Sequence, residues 1–189
     1  MNFKHHEKLP RKATLRLIET KPGVSEIYMP LNEGNYCRIG AKTEIWNKYD
    51  DGFMWHDVFH FANMAILNWS PVSRFLFGIS RKSNSRFYNQ EDDFRAMIIE
   101  EAIAAFVIEE AKEKNFFKNN EEISNELLSV IETLTSVFEV KTASKDDWIK
   151  SILEGCKVWQ HTKQNRGGII ELDMEKRTIQ YLGNPSLKN

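Results

Sequence analysis

The chain has 189 residues, 41% of them apolar and 12% aromatic, with 26 basic residues against 27 acidic ones for a formal net charge of -1. That length suits one domain with a substantial core, and the balanced charge excludes the strong basic field that draws a protein onto nucleic acid. No apolar run approaches the roughly 20 residues of a bilayer-spanning helix, so the expected location is cytoplasmic and a membrane is excluded as a partner.

Cys37 and Cys156 lie in unrelated contexts without metal-ligand spacing and read as two reduced thiols, a disulfide between them being the alternative. Residues 1–12 read as a flexible polar lead carrying His5 and His6. Residues 13–48 read as a β-rich segment, opened by a hairpin whose strands run from Thr14 to Thr20 and from Ser25 to Met29 around the turn at Pro22 and Gly23. The segment from Tyr36 to Lys48 shows no decisive pattern.

Residues 50–163 read as a helical core of four to five helices. The first runs from about Phe53 to Asn68, with Val58, Phe59, Ala62, Ala65 and Ile66 on its apolar face. Ser70 and Pro71 combine an N-cap with Pro at the first helical position, which starts a short helix that Gly78 ends. The basic, hydroxyl-rich stretch from Ser80 to Arg86 reads as a loop; Arg81 and Lys82 are its candidate phosphate ligands, because guanidinium and ammonium groups beside backbone amides suit an anion. A longer helix follows from about Asp92 to Lys114, with Met97, Ile98, Ala102, Ala105 and Phe106 as its apolar face and Glu101 expected on the inward side.

Two further helices are expected at about 121–138 and from a capping box at Ser144 and Asp147 to Lys163. Arg166, Gly167 and Gly168 form a turn or a close backbone approach, and residues 167–182 read as a β-hairpin. The fold class is therefore α+β: a mainly helical core with an N-terminal β-rich segment and a C-terminal hairpin, in one domain.

Chemistry concentrates between Asp50 and His60, where Asp50, Asp51, Asp57, His56 and His60 fall within eleven residues. On a helix, His56 and His60 are one turn apart and share a face, the arrangement by which two imidazoles share one cation. The pattern from His56 to His60 differs from the zinc-peptidase motif by Asp57 in place of Glu, a shorter acid with less reach to a metal-bound water. The proposed constellation gathers His56, His60 and Glu101 as ligands of a divalent metal ion (Mg, Mn or Zn), with Asp57 and Glu100 in catalytic roles. Its alternative is a metal-free, ion-paired network joining two helices with Arg81 or Arg95 as counter-charge.

These residues resemble the domain found C-terminal to MazG-type nucleotide pyrophosphohydrolases. The resemblance rests on Asp51-Gly52, the segment from His56 to His60, Trp69 to Val72 with Arg74, Arg81 to Ser83, Glu91-Asp92, Arg95-Ala96, Ile99 to Glu101, and Asn165 to Gly168 with the last hairpin, and so covers nearly the whole chain. It implies a nucleotide or small phosphorylated ligand. It departs at Tyr88-Asn89, where the family tends to carry an acidic pair, and at Asp93-Phe94, where it tends to carry glycines. The magnesium ligands of the MazG domain itself, a Glu-x-x-Glu with a later Glu-x-x-Asp, have no full counterpart: Glu110 and Glu113 match only the first half. The expected function is a metal-dependent hydrolase of a nucleotide or related phosphorylated molecule, the alternative a non-catalytic sensing or protein-binding module; a homodimer is compatible with either.

Overall fold

The computed structural model describes residues 3–31, 35–44, 52–118 and 122–184. Five strands form one antiparallel sheet: β1 (Lys12–Lys21), β2 (Val24–Pro30), β3 (Tyr36–Glu44), β4 (Gly167–Asp173) and β5 (Thr178–Gly183), in the order β3-β2-β1-β4-β5. Both expected hairpins are present, and β4 joins them by pairing with β1, Leu15 opposite Ile170 and Leu17 opposite Gly168. Period-two alternation sends Leu15, Leu17, Ile27, Ile39, Ile170, Leu172 and Ile179 inward.

The glycine that opens β4 follows from this junction. A Cβ on Gly167 would stand 2.5 Å from the Leu17 carbonyl oxygen, so the backbones approach more closely than a side chain permits. Arg166 beside it pairs with Glu19.

Among the described residues there are four main helices, α1 (Asp57–Leu67), α4 (Phe94–Glu113), α5 (Asn125–Thr135) and α6 (Lys145–Gln164); α1 and α6 pack on β4 and β5, and α4 and α5 pack against each other. Two six-residue helices, α2 (Pro71–Leu76) and α3 (Ser85–Gln90), lie between α1 and α4 in sequence. The local signals act as read: the Ser70 hydroxyl accepts from Ser73 N–H ahead of Pro71, and Ser144 and Asp147 form a reciprocal capping box.

Helix α1 is the centre of the molecule, in contact with α2, α4, α6, β4 and β5. Every residue from Asp57 to Ile66 is buried, so α1 is not amphipathic but enclosed on all sides. Each large side chain it buries, such as Phe61, Met64 or Ile66, contributes about 1.5 to 3 kcal/mol. Any polar group on α1 must therefore find its partner inside the protein.

Several expectations change. Part of the N-terminal lead packs on the rest of the protein: the buried Glu7 carboxylate accepts from Ser83 N–H at 2.7 Å and from the Ser83 hydroxyl at 2.5 Å, and Leu9 enters the core. β3 emerges from the segment without a pattern, because Ile39 alone among its residues is buried and alternation had little to act on. Helix α3 begins within the presumed loop, capped by Asn84; it buries no residue and so left no periodicity to read.

The inward face of α4 is also rotated from the expected one. Ala96, Glu100, Ile103, Ala104, Val107, Ile108 and Ala111 are buried, while Ile98, Ala105 and Phe106 are exposed. Apolar residues occur all round this helix, and their distribution alone does not fix which side meets α1.

Candidate metal centre

The chain enters the site through Gly52, whose φ of 85° lies in the left-handed region and whose carbonyl accepts a 3.1 Å hydrogen bond from Trp159 Nε1. A side chain at position 52 would collide with the Trp159 ring. From this anchor a single 3-10 turn, Phe53–Trp55, leads into α1 and delivers His56 and Asp57 at the helix entrance. Asp50 and Asp51 lie outside the described residues.

One turn separates His56 from His60, and their rings meet edge to face with centroids 5.5 Å apart. His56 Nδ1 lies 2.9 Å from the Phe53 carbonyl oxygen, and the Phe53 ring stacks on the imidazole at 4.4 Å. A ring held this way donates from Nδ1–H, so Nε2 is the nitrogen that would ligate an ion once its proton is displaced, as in metal sites where an outer partner fixes the tautomer.

α4 brings two glutamates to the same place from different sides. Glu101 Oε2 sits 3.3 Å from His60 Nε2 and 3.6 Å from His56 Nε2, and Asp57 Oδ1 lies 3.8 Å from His56 Nε2. Glu100 Oε1 lies 3.3 Å from His60 Nδ1. The expected convergence of α1 and α4 is therefore present, with the glutamates' positions reversed. Glu100 is fully buried, whereas the Glu101 side chain is 46% exposed and reaches the imidazoles from the solvent side.

Glu100 joins three helices. It accepts from Val72 N–H at 2.8 Å, in the first turn of α2, and from Asn63 Nδ2 at 3.2 Å, on α1; Asn63 Oδ1 in turn accepts from the Ser151 hydroxyl of α6 at 2.9 Å. These partners were not singled out from sequence. The available signal was Asn63 itself, a polar residue three positions after His60 inside an otherwise apolar run.

Electrostatically, burial opposes charge on both imidazoles, but nearby carboxylates outweigh it. Asp57 and Glu101 raise the pKa of His56, and Glu100 and Glu101 raise that of His60. Burial likewise opposes ionisation of Glu101, yet the two imidazoles hold its carboxyl well below the usual range. Both ring nitrogens of the fully buried His60 nevertheless lack an aligned hydrogen bond. Close carboxylates off the donor direction leave room for another ligand geometry.

The donors can be tested against a cation. Bonds of about 2.1 Å in a tetrahedral site set donor atoms about 3.4 Å apart, close to the separations of 3.3, 3.6 and 3.8 Å found here. The buried trio His56, Asp57 and His60 has one ligand atom from each residue within 4.8 Å of the others. This trio is a group that could hold a metal ion.

Arg81 and Lys82 stand apart from this cluster in their bonding. Arg81 is buried; its Nε and Nη2 donate to Asp92 and its Nη1 donates to Glu139 at 2.7 Å. A phosphate would have to displace one of these carboxylates. Lys82 is exposed.

A model of the MazG C-terminal domain family matches residues 1–185. The chain belongs to that family. No curated protein and no solved structure matches it. In this MazG C-terminal domain the matched region takes in the whole cluster and the fold that positions it. No helix among the described residues is long and apolar enough to cross a membrane.

Proposed function

We propose that the chain is a metal-dependent hydrolase acting on a nucleotide or related phosphorylated small molecule. His56, His60 and Glu101 ligate the ion, Asp57 serves as a further ligand or as the general base, and Glu100 orients His60 rather than touching substrate. The observation that carries this reading is the buried His56, Asp57 and His60 group, whose ligand atoms lie within 4.8 Å of one another, with Glu101 3.3 and 3.6 Å from the two imidazoles. A bound divalent ion supplies charge for phosphate oxygens and lowers the pKa of a coordinated water. Membership in a MazG-associated family supports a nucleotide as the class of ligand.

The half-exposed Glu101 is the side from which substrate enters, since His60 and Glu100 close the opposite side. The test is a turnover panel of nucleoside triphosphates, diphosphates and phosphorylated sugars with Mg, Mn and Zn, run beside elemental analysis of the purified protein. Metal-dependent release of phosphate or pyrophosphate that His56→Ala abolishes is the expected result. Absence of both bound metal and turnover would remove this reading.

A second reading, a non-catalytic sensing or protein-binding module, has its own support: the Arg81 guanidinium is taken up by Asp92 and Glu139 rather than left for a phosphate. Metal binding without turnover across the panel would favour it.

A further inference from the structure

The start of α6 borders a cavity of about 560 Å³ that the metal centre does not use. Its wall is drawn from one face of α5, the 3-10 turn Glu139–Thr142 and the first turn of α6. The apolar part is well packed: Leu128, Val140 and Trp148 line the cavity and are each at most 5% exposed.

Two cations and a spare donor converge on this space. Lys141 and Lys145 both line it, and neither ammonium pairs with a carboxylate among the described residues. Glu132 is the one acid in the lining. Trp148 is 5% exposed, yet its indole N–H donates to no acceptor among the described residues. The Trp55 and Trp69 nitrogens also lack an aligned acceptor, but they are sealed from solvent; that of Trp148, in the cavity wall, is not. A buried indole N–H ordinarily finds a partner, so this one points to an acceptor supplied from outside. The first two N–H groups of α6, on Lys145 and Asp146, have no carbonyl within their own helix and stand at the positive end of a 20-residue dipole. Asp147 in the same turn is already paired with Arg177.

We propose that this cavity binds a phosphomonoester carried on a flat apolar ring, as in a nucleoside monophosphate. Two ammonium groups match a head that carries nearly two negative charges near pH 7. The Trp148 N–H and the first-turn amides suit its acceptor oxygens. Leu128, Val140 and the Trp148 ring suit the apolar body, and the volume lies within the roughly 300 to 1,000 Å³ of small-molecule sites. None of His56, Asp57, His60 or Glu101 lines this cavity, so the site stands whether or not an ion binds at the metal centre.

Calorimetric titration of the full chain with adenosine, guanosine, cytidine and uridine monophosphates, all in chelator, tests the proposal. At least one is expected to bind with a Kd below about 1 mM. Inorganic phosphate and the matching nucleoside should each bind at least about tenfold more weakly, because each lacks half of the contacts. Lys141→Glu and Lys145→Glu, both at exposed positions, are each expected to weaken binding at least about tenfold. Trp148→Phe keeps an aromatic ring in the wall but removes the donor, and should weaken it about fivefold. Circular dichroism checks that each variant is folded.

No binding by any of the four nucleotides, binding no tighter than that of inorganic phosphate, or indifference to both charge reversals would overturn the proposal. Binding that appears only when Mn is added back would also overturn it, and would place the nucleotide at the metal centre instead. Because the titrations are run in chelator, a negative result here leaves the metal reading standing.

Discussion

Glu100 and His60 meet without solvent access: Glu100 Oε1 lies 3.3 Å from His60 Nδ1, and both side chains are fully buried. The same carboxylate closes the first turn of α2 through Val72 N–H and fixes the Asn63 amide. One residue therefore joins the packing of three helices to the orientation of an imidazole at the candidate metal centre.

Glu100→Ala leaves Val72 N–H, the Asn63 amide and a raised-pKa imidazole without their shared acceptor. The expected loss is about 3 to 5 kcal/mol of unfolding free energy, measured by chemical denaturation. Glu100→Gln keeps the shape and one acceptor oxygen and should cost about 1 to 2 kcal/mol. Equal losses in the two variants would mean that volume, not the carboxylate, matters at this position.

Much of the fold was legible because local rules and burial agreed. The Ser70-Pro71 start, the Ser144–Asp147 capping box and the two hairpins each follow from chemistry within a few residues. The pairing of β1 with β4 was not legible, since no local signal tells a C-terminal hairpin which edge it joins. At the site, the one-turn spacing of His56 and His60 was readable, but the choice between Glu100 and Glu101 was not. Adjacent residues differ by 100° round the helix, and exposed Ile98 and Phe106 pull the apparent apolar face away from the true one.

Ligand removal at the centre should read directly in metal affinity. His56→Ala or His60→Ala is expected to weaken binding of Zn or Mn by at least about hundredfold, and Asn63→Ala by about tenfold through loss of the support it gives Glu100. Competition against a chromogenic chelator measures all three. Unchanged affinity in both histidine variants would place any bound ion elsewhere.

Arg81 and Lys82 separate stability from ligand binding. Arg81 is buried between Asp92 and Glu139, so Arg81→Ala is expected to cost about 3 to 5 kcal/mol, while Lys82→Ala should stay within about 0.5 kcal/mol. Thermal and denaturant unfolding check both. A stable Arg81→Ala variant that had lost phosphate binding would return Arg81 to the role of anion ligand.

The raised pKa of His60 and the lowered pKa of Glu101 set opposite pH dependences for the metal-free and metal-bound protein. Protonated His60 stabilises the fold; that contribution is complete below the unfolded value of about 6.5 and is lost as pH rises through the folded value. Ionised Glu101 contributes fully above the unfolded value of about 4.3 and is lost as pH falls through its folded value. With chelator present, the Tm difference between wild type and His60→Asn should therefore be largest between about pH 4.5 and 6.5 and shrink on either side. A metal ion requires neutral imidazole, so its binding must displace protons that the carboxylates hold on His56 and His60. Calorimetric titration with Zn near pH 7, in buffers of different ionisation enthalpy, should show net proton release, and apparent affinity should rise with pH. Binding without proton release would mean that the ion does not take the imidazoles as ligands.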